Sequence, residues 1–211
     1  MIYEYRTLRT ERGELGALTR RVHGSVEKAT RDAGGNVFAL FAGMIGLATD
    51  EGVLVRAWPD GETLARESER TLTSATQIIE SEVERLAPSV RPVDATPPRE
   101  PGVYAHRWFW LQPQDWAEFV RFSEEGIWPY FESDGCRIIG LWRSMEPGPL
   151  AKALLVTRYP SVAHWERTRL QSADVPPGAD ERLYRAAQGA GEHRAHLTVR
   201  SIVRLTRLLR W

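Results

Sequence analysis

Hydrophobic positions along the chain follow two periods that alternate in a fixed order. IYEYRTL at 2–8 and VYAHRWFWL at 103–111 are short runs rich in aromatic and β-branched residues and read as strands. Each is followed by apolar positions at helical spacing. In the first half these are Leu15, Leu18, Val22, Val26 and Ala29; in the second, Trp116, Phe119, Ser123, Ile127 and Tyr130 fall in register. Pro113 stands where a first-turn proline is tolerated, and Pro129 is expected to end or kink its helix. Gly34 and Gly135 occupy the place of a helix C-cap that needs positive φ. Two strands follow in each half, VFALFAGM and GVLVRAW, then CRIIGLWRSM and KALLVTRY. A turn at Pro59 or Pro160 leads into a second helix, GETLARESERTL or SVAHWERTRL. VERLAPSVRPV and LTVRSIVRLTRLL close the two halves as strands.

This order is a repeat. At an offset of 101 residues, Ile2–Arg66 aligns without a gap to Val103–Arg167, with identities that include Tyr3/Tyr104, Arg6/Arg107, Gly34/Gly135 and Pro59/Pro160. Past that point the second copy carries about 19 extra residues around VPPGADERLYRAAQGAGEH. Each copy reads βαββαβ, a ferredoxin-like module. The expected boundaries are 1–93 for the first module, 94–102 for a linker and 103–211 for the second; Pro97, Pro98 and Pro101 mark the linker. A four-stranded sheet with helices on one face leaves its other face bare, so two modules in one chain cover each other. The expected fold is an α+β barrel with a central cavity between the sheets.

Composition narrows the function classes. The 28 basic and 28 acidic residues balance, which gives no electrostatic reason to expect nucleic acid as a partner. No apolar run approaches the roughly 20 residues of a membrane span, and MIYEYRTLRT lacks the features of a secretory leader, so no membrane partner and a cytoplasmic location are expected. The single cysteine, Cys136, permits no intrachain disulfide or thiolate cluster and reads as a small buried residue in a reducing compartment. Lysine occurs only at Lys28 and Lys152, so positive charge is almost all arginine. Of the eight tryptophans only Trp58 lies in the first half, which points to the second module as the specialised one.

The openings IYEYRTLRTERGELGAL and VYAHRWFWLQPQDWAEFVRF, the helix end EEGIWPYFESDGCRIIGLWRS and the run LLVTRYPSVAHWERTR resemble the NIPSNAP family of the dimeric α+β barrel superfamily. The resemblance spans both repeats and is closer in the second. It implies the barrel fold. By analogy it brings in the superfamily's chemistries: cofactor-independent monooxygenases acting on phenols, muconolactone-type isomerases, and haem proteins such as chlorite dismutase.

Phosphate-binding glycine loops, HExxH, GxSxG and paired CxxC are all absent. EHRAH places His193 and His196 three apart, but no third metal ligand accompanies them, and no metal site is expected. The richest constellation is the first strand of copy two. There Tyr104, His106, Trp108 and Trp110 share one face, and Val103, Ala105, Arg107, Phe109 and Leu111 the other. Periodicity does not decide which face lines a cavity; we take the aromatic face. His106 is then the candidate general base, with Tyr104 or Tyr130 nearby. Arg107, Trp108, Trp110, Glu124, Trp128, Trp142, Arg143 and Arg158 are candidate substrate contacts. Arg107 has a twin in Arg6 and reads either as a structural arginine or as a stabiliser of an enolate or carboxylate.

The expected partner is a small hydrophobic or aromatic molecule, turned over by proton chemistry of the monooxygenase or isomerase kind without a cofactor. A non-catalytic binding or scaffold module is the alternative. A haem protein, with His23 or His164 as axial ligand by analogy, is the third reading. Arg200, Arg204, Arg207 and Arg210 form a charged stripe on the last strand, a candidate homodimer surface. Copy one has Tyr3, Tyr5, Thr7 and Arg9 at the positions of the aromatic face, and reads as the structural half.

Overall fold

A computed structural model describes residues 1–72, 78–170 and 174–209. Strand β1 (Ile2–Thr10) leads into α1 (Leu15–Arg21) and α2 (Glu27–Asp32), a single helical path joined by a wide π turn at Val22–Val26. Leu18, Val22 and Val26 are its buried stripe. The chain continues through β2 (Asn36–Ile45), β3 (Glu51–Trp58), α3 (Gly61–Leu72) and β4 (Ile78–Pro88).

The second module repeats the plan. β5 (Val103–Leu111) precedes α4 (Trp116–Arg121) and α5 (Trp128–Ser133), again joined by a π turn, at Phe122–Ile127. Pro129 does not end this helix, because it falls in the first turn of α5, where its missing N–H is tolerated, directly after the wide turn. The matching π turn of the first module has no proline, so the turn belongs to the repeat and not to Pro129. Gly34 and Gly135 both take φ of 82°. Behind each, Gly35 N–H donates to Thr30 O and Cys136 N–H to Phe131 O at 2.9 Å, the backbone closure that a left-handed residue makes possible.

β6 (Arg137–Ser144), β7 (Ala151–Tyr159), α6 (Val162–Arg167), α7 (Glu181–His196) and β8 (Thr198–Leu208) complete the chain. The insertion is thus a helix that the first copy lacks. Asp180 caps α7 by accepting the Leu183 N–H at 2.9 Å, and Tyr184, Ala187 and Ala190 form its buried side. That side lies on the π turn of the second module so closely that a Cβ at Gly126 would come within 2.2 Å of Ala190 Cβ.

All strand pairs are antiparallel and the sheet closes on itself in the order β1-β3-β2-β8-β5-β7-β6-β4. Each module contributes four neighbouring strands, and the seams are β2 on β8 and β4 on β6. The inner face is a packed core of Tyr3, Tyr5, Phe38, Phe41, Tyr104, Trp108 and Trp142 with aliphatic neighbours. Rings meet edge-on, as Tyr3 does with Phe38 at 5.3 Å and Tyr5 with Trp108 at 5.3 Å. The expected cavity between the sheets is therefore filled by side chains, as the interiors of eight-stranded barrels commonly are. Separate cores lie under the helices of each module. The arginines of β8 do not form one stripe: Arg200 and Arg204 lie opposite Trp110 and His106, while Arg207 lies opposite Val103 on the other face. Arg210 lies outside the described residues.

Candidate functional site

The helix-covered faces of the two modules share a scaffold and differ in filling. In the first module this space is closed by an ion network on Glu4. Its Oε1 accepts from Arg6 Nε at 2.7 Å, Arg56 Nη2 at 2.8 Å and Ser68 Oγ at 3.0 Å, and its Oε2 accepts from Trp58 Nε1 at 2.9 Å. Arg6 also donates to Ser81 Oγ and Glu69 Oε1, and Arg56 to Thr71 Oγ1. Burial works to raise the Glu4 pKa, but Arg56 and then Arg6 outweigh it and hold the carboxyl below its usual value. Glu4, Arg6 and Arg56 are all buried, and their charges are met within the network.

At the same offset of 101, the second module has Ala105 for Glu4, Arg107 for Arg6, Thr157 for Arg56 and Tyr159 for Trp58. The carboxylate is gone, one guanidinium is cut to a hydroxyl, and the indole is replaced by a smaller phenol. Space opens where the network stood: a cavity of about 500 Å³ between the outer face of the sheet and the helices, lined in part by Ala105, Arg107, Thr157 and Tyr159. Phe109, Trp128, Phe131 and Trp165 give it aromatic walls. α7 supplies Arg194, whose guanidinium stacks on Phe109 at 5.0 Å and Phe119 at 5.5 Å and donates to Ser123 Oγ at 3.2 Å.

Electrostatically the site is cationic. Burial lowers the Arg107 pKa, opposed by Tyr159 and reinforced by Arg169. Burial, with Arg107 as the next cause, pushes Arg194 down to about 9. Burial likewise raises the Tyr159 phenol, so it is present as a neutral hydroxyl. Glu192 is the one carboxylate among the lining residues, and it is exposed.

Of the residues singled out in the sequence, Arg107 and Trp128 line this cavity. Tyr104, His106, Trp108 and Trp142 are also brought together, but on the inner face of the barrel. The aromatic face of β5 thus turns away from the opening, because the two sheets bury their most apolar faces against each other. His106 is fully enclosed. Its Nδ1 lies 3.0 Å from Tyr5 Oη and its Nε2 3.1 Å from Thr206 Oγ1. One set of donors satisfies the group: Thr206 gives its proton to Tyr104 O at 3.2 Å, His106 Nε2–H gives to Thr206, and Tyr5 gives to Nδ1. Burial, and then Arg204, hold the His106 pKa at about 3, so the ring is neutral. Tyr5 and His106 are themselves repeat equivalents, and meet where the two copies of the first strand face each other.

The remaining candidates are scattered. Trp110 sits at the barrel end between Lys152 and Arg200. Tyr130 is buried against Tyr184 beneath α7, its hydroxyl pushed up to about 12 by burial. Arg158 clamps the linker through Pro101 O at 2.6 Å and Gly135 O at 3.2 Å. Arg143 lies over Trp116 on the surface, and Glu124 is exposed on the π turn. Sequence reasoning passed over Ala105, Thr157, Tyr159 and Arg194. The signal for the first three was present in the repeat itself, as charged or bulky residues of one copy replaced by smaller ones in the other.

Haem does not fit these residues through an imidazole ligand, since none of the five histidines lines the cavity. His193 stacks flat on Phe122 at 5.0 Å, and His164 pairs with Asp134 at 3.1 Å. Among the described residues no group of His, Cys, Asp and Glu could hold a metal ion, and no helix is long and apolar enough to cross a membrane.

No protein-family model matches the sequence, and no curated protein matches it. Solved structures do. An anthrone oxidase-like protein superposes with a TM-score of 0.64 at 14% identity, over 99% of this chain and 91% of that one. A candidate monooxygenase from Lactobacillus acidophilus NCFM gives 0.59 at 8% identity, over 99% and 92%. A chlorite dismutase variant from Candidatus Nitrospira defluvii gives 0.60 at 13%, over 99% and 91%. A NIPSNAP domain protein from Burkholderia xenovorans covers 44% of the chain at 16% identity with a TM-score of 0.36, too low to carry an argument. At these identities the likeness is one of fold: the chain has the α+β barrel fold, built from two ferredoxin-like modules.

Proposed function

We propose that the protein binds a small aromatic or hydrophobic molecule in the helix-side cavity of its second module and acts on it there by proton chemistry. The observation that carries this reading is the contrast between the copies: one scaffold, closed by Glu4, Arg56 and Trp58 in one module and opened by Ala105, Thr157 and Tyr159 in the other. A concave site with aromatic walls and a few polar groups is the usual form of a small-molecule site. Anthrone oxidase-like and monooxygenase neighbours on this fold make a phenolic or enolic substrate the first class to test. In this reading Arg107 stabilises a phenolate or enolate and Glu192 takes up the proton, both being residues of the cavity lining. His106, closed off inside the barrel, has no part in this scheme. The motifs shared with NIPSNAP proteins support reading the chain as a tandem relative of that family.

Anthrone is a fitting first substrate, since with dioxygen as co-substrate it gives anthraquinone and water. Oxygen uptake should exceed the uncatalysed rate, and Thr157→Arg, which restores the side chain that fills the first module, should abolish the excess. Binding of aromatic compounds without uptake favours the non-catalytic alternative. Neither binding nor uptake, or uptake unaffected by Thr157→Arg, sinks the proposal.

A further inference from the structure

The closed copy also states what kind of charge the open copy lacks. In the first module Arg6 is neutralised by two carboxylates, Glu4 at 2.7 Å and Glu69 at 2.5 Å. The repeat offset carries Glu4 to Ala105, whereas Glu69 lies on α3 beyond the aligned region, where the shorter α6 of the second module has ended and Leu170 follows. Ala105 and Leu170 both line the cavity beside Arg107. The arginine is kept, and its closest counter-ion, Glu4, is replaced by an apolar residue of the cavity wall.

The helix that only the second copy possesses then adds a further cation. Arg194 reaches the same space from α7, held against Phe109 and Phe119, and Arg169, just past the end of α6, also lines it. Among the described residues Arg107 makes no hydrogen bond or ion pair, and Arg194 donates to Ser123 Oγ but has no carboxylate partner. Two half-buried guanidinium groups facing one aromatic cavity whose one carboxylate, exposed Glu192, pairs with neither are an unfavourable arrangement that a bound anion relieves. Planar forks of this kind suit a carboxylate or a resonance-stabilised oxyanion, held bidentately or from both sides.

We infer that the ligand of the second module is an anion with an aromatic body, its negative group seated between Arg107 and Arg194 in the place that the Glu4 carboxylate fills in the first module. This rests on the small-molecule reading of the cavity and adds its charge. The aromatic part then packs on Phe109, Trp128 and Trp165, and the two arginines fix its orientation.

Quenching of tryptophan fluorescence, with Trp128 and Trp165 at the site, provides the assay. The compounds are matched sets with one ring system each: benzoate, cinnamate and 2-naphthoate against their neutral amides, with 2-(aminomethyl)naphthalene as the cation. At least one acid should bind roughly 10- to 100-fold more tightly than its amide, the scale of a charge-assisted contact. The amine should bind more weakly still. Arg107→Gln and Arg194→Gln should each erase most of the preference for acid over amide. Ala105→Glu, which restores the internal carboxylate, should abolish acid binding and raise the melting temperature, and it remains decisive if either arginine variant fails to fold. Acids and amides that bind equally well, with binding blocked by Thr157→Arg, overturn the anion inference and leave the cavity reading standing. If no compound of any charge binds, both fall. Acid binding that survives Ala105→Glu also overturns the inference, since the anion then sits elsewhere.

Discussion

Replacing His106 by Gln removes a group that the fold keeps neutral, and the consequence is a change in how stability depends on pH. The ring is wholly buried, with Tyr5 on one nitrogen and Thr206 on the other. Its pKa is held at about 3 against a usual value of 6.5. Below pH 6.5 the unfolded chain therefore takes up a proton that the folded chain refuses until near pH 3. The unfolded state binds more protons throughout this window, so stability rises with pH across it. The His106 contribution is complete above pH 6.5 and is lost progressively as pH falls toward 3. At pH 5 the gap from the usual value is 6.5 − 5 = 1.5 units, and at about 1.4 kcal/mol per unit the loss is roughly 2 kcal/mol. Guanidinium unfolding followed by far-UV circular dichroism at pH 7 and pH 5 measures it. The wild type should lose about 2 kcal/mol more than His106→Gln between the two values, while other titrating groups, His23 included, cancel in the difference. Equal losses in the two proteins would refute the claim that His106 is enclosed and neutral.

Two further outcomes follow from packing and charge. Glu4→Gln leaves Arg6 and Arg56 buried without their shared carboxylate and should cost about 3–5 kcal/mol by chemical denaturation. The Glu4 pKa is depressed, so its contribution is full above the usual 4.5 and is lost as pH falls through the lower folded value. The gap between wild type and variant should narrow in the acid range below that point. Gly126→Ala places a methyl group 2.2 Å from Ala190 Cβ, a contact relieved only if α7 and the π turn move apart. It should cost about 1–3 kcal/mol in a urea titration. Gly189→Ala on the same helix meets nothing within 4 Å and should be neutral or stabilising, which separates crowding from a general intolerance of α7 to substitution.

The fold was legible because its signals are local and were given twice. Alternation in IYEYRTL and VYAHRWFWL, helical spacing from Leu15 and Trp116, and glycines at 34 and 135 each act within one element, and the repeat tested each against a second copy. α7 had no such copy. ERLYRAAQGAGEH shows a weak apolar stripe of small residues, and its helix is set by the Asp180 cap and by Tyr184, Ala187 and Ala190 meeting the second module. The candidate site was legible only in part. Arg107 and Trp128 reach the cavity, whereas the His106 face, richest in aromatic residues, does not. Aromatic content marks a surface that must be buried, and in a closed barrel the inner face satisfies that need as completely as a ligand would.

By itself, then, the sequence determined the βαββαβ repeat, the pairing of two modules and the asymmetry between them, because periodicity, turn residues and internal likeness are properties of neighbouring positions. Tertiary structure decided which face of β5 is open. That choice depends on residues distant in sequence meeting across the fold: Ala105, Thr157 and Tyr159 leaving space under the helices, and Arg194 arriving from α7 to line it. The same four positions read separately are a small residue, a hydroxyl, a phenol and a surface-type cation. Only their convergence beside an arginine that has lost its closest counter-ion makes them a site.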